Sequence, residues 1–153
     1  MKKSILKDKS KAFALEIIKM TDLIQCEKRV YVLTKQVLRS GTSIGANIHE
    51  AFFGQSLPDF ISKLSIALKE CGETQYWLDL LHDSQKLGES DYQNLIFHCE
   101  ELGKILTSSI KTAKETLNKR KNYLKSAYEV QEPTPNYGQN DDSIESLLIH
   151  YSL

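Results

Sequence analysis

The chain of 153 residues has only three prolines, seven glycines and one tryptophan. So few helix breakers favour long, uninterrupted elements. No apolar run approaches the roughly 18 residues that a membrane-spanning helix needs, so no membrane role is expected. The start, Met1 to Lys9, is charged but has no apolar segment behind it, which argues against a secretory signal. Cysteines are few, odd in number and widely spaced at 26, 71 and 99. They read as free thiols in a reducing cytoplasm, not as a disulfide framework. The length suits one domain with a real core.

Net charge is zero, so the overall balance points to no partner, but the charges are segregated. Residues 1–40 sum to +6, 41–103 to −7, 104–125 to +6 and 126–153 to −5.

Helical periodicity organises most of the chain. A first helix over about Lys9–Cys26 carries Phe13, Ile17, Met20 and Ile24, widened by Ala14, Ile18 and Leu23. A second, from about Tyr31 to Gly54, places Leu33, Val37, Ser40, Ile44, Asn47, Ala51 and Gly54 on one face. Gly41 and Gly45 flank that face. Each costs about 1 kcal/mol relative to alanine inside a helix, and close approach of another helix is the expected compensation. Ser56 and Pro58 open a third helix that extends to about Leu87. Its core stripe is Phe60, Leu64, Ala67, Cys71, Thr74, Leu78 and Leu81. A separate line of Ile66, Trp77 and Leu80 predicts a contact between subunits. Ser90 or Asp91 caps a fourth helix, whose stripe from Leu95 through Leu106 and Leu117 to Leu124 carries it to about Ala127.

The expected fold is all-α: an up-down-up-down antiparallel four-helix bundle over residues 1–127, assembled into a homo-oligomer. Residues 128–140, with Pro133, Pro135 and Gly138, read as a flexible linker. Residues 141–153 read as a short acidic amphipathic helix in which Ile144, Leu147, Leu148 and Tyr151 share one side. This topology sets the start of the first helix beside the end of the fourth. Lys2, Lys3, Lys7, Lys9 and Lys11 are therefore expected near Lys114, Lys119, Arg120, Lys121 and Lys125, forming one basic end fit for RNA or DNA.

The segment Arg39-Ser-Gly-Thr-Ser-Ile-Gly-Ala-Asn-Ile-His-Glu-Ala51 resembles the bacterial four helix bundle protein family. So do Gly54-Gln-Ser56, Asp59-Phe60, the run Lys63 to Glu70, and Glu73-Thr-Gln-Tyr-Trp-Leu-Asp-Leu-Leu81. That family includes proteins encoded in intervening sequences of 23S ribosomal RNA genes. The resemblance spans roughly residues 10–120 and implies a left-handed bundle and a ring-shaped homopentamer. A more distant likeness, to the accessory variability determinant of diversity-generating retroelements, implies basic surfaces that bind nucleic acid and a reverse transcriptase. Two features depart from the pattern. The family's usual proline in the first connection is absent at Gln25-Cys26, and the acidic tail lies outside the family core.

Catalytic chemistry finds little support in these residues. Glu50 and Glu73 suggest paired carboxylates, yet Glu70-Cys-Gly-Glu73 has no histidine where a di-metal bundle needs one. Arg39, Asn47, Glu50 and Glu73 read as structural polar groups, through buried hydrogen bonds or through pairs between subunits with Arg39 or Lys63. The four histidines are scattered without zinc spacing. Gly41-Thr-Ser-Ile-Gly45 lacks the Gly-Lys-Ser/Thr ending of a phosphate loop, and Ser40 and Ser43 lack a histidine partner. Trp77 reads as an interface anchor ahead of a base-stacking platform, and with it Gly41, Gly45, Ile66 and Leu80 form the expected oligomer contact. No metal, cofactor or catalytic residue is expected. The favoured function is a cytoplasmic, non-enzymatic nucleic-acid-binding or adaptor protein. The alternative is an oligomeric scaffold that docks a protein through residues 144–151.

Overall fold

The computed structural model describes residues 4–28 and 30–129. They form four helices: α1 (Ile5–Lys28), α2 (Tyr31–Ala51), α3 (Leu57–Asp83) and α4 (Glu89–Glu129). Among the described residues there is no strand, and no helix is long and apolar enough to cross a membrane. The chain divides into two compact units, Met1–Arg120 and Lys121–Leu153. Of the second unit only the last stretch of α4 is described. Residues 128 and 129, expected to open the linker, lie in α4. The rest of the linker and the tail helix at 141–153 lie outside the described residues, as do Lys2 and Lys3.

Contacts in the first unit fix the topology. Gln25 donates to the Thr34 hydroxyl at 2.9 Å, while Ser10 lies against Gly45, so α1 and α2 run antiparallel. Thr74 donates to Ser40 at 3.0 Å and Lys63 pairs with Glu50, which sets α3 antiparallel to α2. Tyr92 donates to Asp79 at 2.9 Å and the Cys99 thiol to the Cys71 carbonyl at 3.5 Å, orienting α4 against α3. Lys9–Glu101 at 2.7 Å and Glu16–His98 at 2.9 Å close α4 onto α1. The result is an up-down-up-down four-helix bundle.

On α1 the buried positions are Leu6, Ser10, Phe13, Ile17, Met20, Thr21 and Ile24, a three-four spacing that keeps one stripe inward. Helix α1 begins at Ile5, one turn before the expected Lys9, because Leu6 extends that stripe.

The buried face of α2 is Thr34, Val37, Ser40, Gly41, Ile44, Ile48 and Ala51. It is rotated from the expected face: Leu33 and Asn47 are only half-buried, and Thr34 and Ile48 take the core positions. Gly41 accounts for the rotation. A Cβ there would stand 2.9 Å from Ile17 Cγ1, so α1 packs directly on the glycine backbone. Gly41 is thus buried against α1 of its own chain, while Gly45 is half-buried with the Ser10 carbonyl of α1 at 3.5 Å from the Cβ it lacks. The connection into α2 lacks the family's proline and also lacks a side-chain cap at Val30. The Thr34 hydroxyl instead donates to the Val30 carbonyl at 2.6 Å while accepting from Gln25.

Helix α3 begins as read. Ser56 is extended and its hydroxyl accepts from the Asp59 amide at 3.2 Å, a cap that stabilises a helix by about 1 kcal/mol. It ends at Asp83, four residues short of the expected Leu87. Gln85 adopts a left-handed φ of 59°, and the Lys86 and Leu87 amides turn back to the Leu81 carbonyl. Leu87 then inserts into the core. Helix α4 starts at Glu89, just ahead of the expected caps, and buries Leu95, Cys99, Leu102, Leu106, Ile110 and Ala113. Beyond Ala113 its described side chains are exposed, apart from a half-buried Leu117.

Candidate nucleic-acid interface

Arg39, Glu50, Lys63 and Glu73 of the motif meet across α2 and α3, while Thr42, Gly45, Ala46 and His49 line a groove toward α1. Arg39 pairs with Glu73, whose Oε1 also accepts from the Trp77 indole at 3.1 Å. One turn or more away Lys63 pairs with Glu50. Asn47 donates to the Ser43 carbonyl at 2.9 Å within its own helix. The acid–base partners are those expected, but both pairs form within one chain and on its surface. Ion pairs this exposed contribute little to stability. Lys63 is held above its ordinary pKa by its hydrogen bond to Glu50.

Glu70 is the exception among these acidic residues. Its Oε2 is buried without a hydrogen-bond partner. Burial raises its pKa, the neighbouring Glu73 carboxylate raises it further, and Arg39 opposes both. Beside it stand the apolar residues expected at a subunit contact. Ile66 is 38% exposed, while Trp77 and Leu80 are half-buried. Among the described residues no three His, Cys, Asp or Glu side chains come together as a metal site would require. Cys71 and Cys99 are buried, and the Cys99 thiol is driven far upward by its hydrogen bond to Cys71 and by burial.

The lysines of the expected basic end are distributed more widely than the sequence suggested. Lys9 is engaged with Glu101. Lys7 lies over the Phe52 ring, 4.1 Å from its centroid, and Lys11 shares a groove with it between α1 and α2. The α1–α4 register, with Lys9 opposite Glu101, puts Ile5 near residue 105. Lys114 therefore sits about 13 Å further along the axis, at 1.5 Å per residue, so the two groups are staggered along the bundle. Between Lys104 and Arg120, α4 carries five basic residues against the single Glu115. Lys104, Lys111 and Lys114 fall within about 80° of one another on the outer face. Lys111, Lys114, Lys119 and Arg120 are exposed and have no carboxylate partner among the described residues. Lys121 and Lys125 follow on the same helix in the second unit.

Sequence reading missed Lys104 and Lys111 because it took the basic segment as a sum. Projecting that segment on a helix would have found them. It also missed Phe52 and Phe53, which it placed inside α2. They lie just past its end, 45% and 71% exposed.

These features define the class: an antiparallel four-helix bundle in which the motif residues Arg39 and Glu50 of α2 pair with Glu73 and Lys63 of α3, and whose fourth helix is basic between Lys104 and Arg120. The chain belongs to the 23S rRNA-intervening sequence protein family, whose model matches residues 2–108. A crystal structure of a protein of unknown function from the S23 ribosomal protein family of Bacteroides thetaiotaomicron is similar to it. The two are 47% identical, over 70% of this chain and 99% of that one, with a TM-score of 0.69. No curated protein matches the chain.

Proposed function

We propose that the protein is a non-enzymatic accessory protein of the cytoplasm, assembled as a homopentamer, that holds RNA or DNA on its basic surface. The observation that carries this reading is the outer side of α4. Four exposed cations from Lys111 to Arg120 have no carboxylate partner among the described residues, next to one acidic residue. In a five-fold ring that surface would recur five times and its field would add. The half-buried Trp77 and Leu80, with the exposed Ile66, supply the apolar part of a subunit contact, and three free cysteines suit a reducing compartment.

The test is binding of a structured RNA to the full chain across a salt series. Log affinity should fall linearly with log salt. Replacing Lys111, Lys114, Lys119 and Arg120 by alanine should weaken binding and flatten the slope. Binding that is indifferent to salt, or unchanged in the variant, would overturn the reading.

A further inference from the structure

The end of α2 carries a second feature that α4 does not explain. Phe52 and Phe53 follow the last helical turn, their amides bonded to the His49 and Glu50 carbonyls, so the backbone holds them in place. Phe52 packs edge-on against Phe60 at 5.9 Å and is anchored. Phe53 has no second phenylalanine against it among the described residues. The His49 ring backs it at 5.0 Å, tilted by 39°, and it remains 71% exposed. A phenyl ring this open leaves most of its apolar surface in water.

One cation approaches that ring. Lys7 Nζ lies 4.1 Å from the Phe52 centroid and 5.5 Å from that of Phe53. Lys7 and Lys11 also flank a groove of about 300 Å³ along α1 and α2. Its floor is low because Thr42, Gly45 and Ala46 are small, and His49 stands at the phenylalanine end. Asp8 is the single carboxylate on the lining. An open aromatic face, two lysines and a shallow channel match one chemistry. A planar unpaired base stacks on the ring while its flanking phosphates meet the ammonium groups. A duplex offers no such base, and an apolar peptide has no use for the lysines.

We propose that Phe53, braced by His49, with Lys7 beside it and Lys11 further along the α1–α2 groove, is a stacking subsite for one unpaired base of single-stranded nucleic acid. The inference rests on the nucleic-acid reading above and adds to it a preference for unpaired strands that phosphate contacts alone would not give.

The experiment uses the full chain and a ten-nucleotide single-stranded RNA containing 2-aminopurine, with the same strand annealed to its complement as the second probe. Affinity is read by anisotropy and stacking by quenching of the 2-aminopurine. Phe53→Ala should weaken single-strand binding about 5- to 150-fold, abolish the quenching and leave duplex binding unchanged. Phe53→Tyr should restore both affinity and quenching, and the exposed position means that neither variant disturbs the core. Lys7→Ala with Lys11→Ala should weaken single-strand binding further. If the wild type binds the single strand and Phe53→Ala binds it equally, or loses duplex affinity in parallel, the stacking subsite is overturned while the basic-surface reading stands. If the wild type binds neither probe, the basic-surface reading falls and takes the subsite with it.

Discussion

Replacing Gly41 by alanine tests whether the rotation of α2 has the cause assigned to it. The new methyl would meet Ile17 Cγ1 at 2.9 Å, Cγ2 at 3.0 Å and Cβ at 3.4 Å. A β-branched side chain in a helix has one strongly preferred rotamer, so Ile17 cannot swing aside and α1 must move. Such overpacking costs about 1–3 kcal/mol, set against a gain of about 1 kcal/mol in helix propensity. Gly72 provides the control. It also lies inside a helix, but nothing stands within 4 Å of the Cβ it lacks. Gly72→Ala should therefore stabilise by about 1 kcal/mol. The propensity gain is common to both substitutions, so their difference isolates the overpacking at about 1–3 kcal/mol. In a domain of this size that separates the two midpoints by several degrees. Thermal and urea denaturation followed by circular dichroism, at one fixed protein concentration, measures it. Ile17→Ala should also cost less in the Gly41→Ala background than in the wild type, because it removes the clash. Equal stability of the two alanine variants would refute the close-approach account.

Glu70→Gln should raise the melting temperature at neutral pH. The Glu70 carboxyl has a folded-state pKa above its ordinary 4.5, so its charged form penalises folding above the folded pKa. That penalty is relieved as pH falls through the folded pKa toward 4.5. The gain from glutamine should thus shrink on acidification, and a gain that grew instead would reverse the sign. Thiol titration with an aromatic disulfide should find one reactive cysteine in the native protein, the exposed Cys26, and all three after unfolding. Rapid labelling of Cys99 in the native state would contradict its burial and its raised pKa.

Much of the bundle could be read from the sequence because apolar side chains recur at helical spacing. The α1 stripe Phe13–Ile17–Met20–Ile24 and the α3 stripe from Leu64 to Leu81 are buried as that spacing demands. The face of α2 was harder to read. Two polar residues, Thr34 and Ser40, fill core positions with their hydroxyls bonded to Val30 and Thr74. Hydropathy has no term for a glycine that admits another helix. The end of α3 was misplaced because Gln85 takes a backbone conformation more usual for glycine or asparagine. At the candidate interface, the pairing of Arg39 and Lys63 with acidic partners was foreseeable from charge and spacing. Which carboxylate each would reach, and that both pairs close within one chain, depended on the α2–α3 register. The Phe53 shelf was not legible at all. It requires Lys7 on α1 and Phe53 beyond α2 to meet, and they lie 46 positions apart in sequence.

Light scattering of the full chain, alone and with a structured RNA, at low and moderate salt, tests the central claim most directly. The account predicts a particle of five 17.5 kDa chains whose mass rises when RNA is added at low salt and returns when the salt is raised. A single-chain mass, or a particle whose mass RNA never changes, would contradict it.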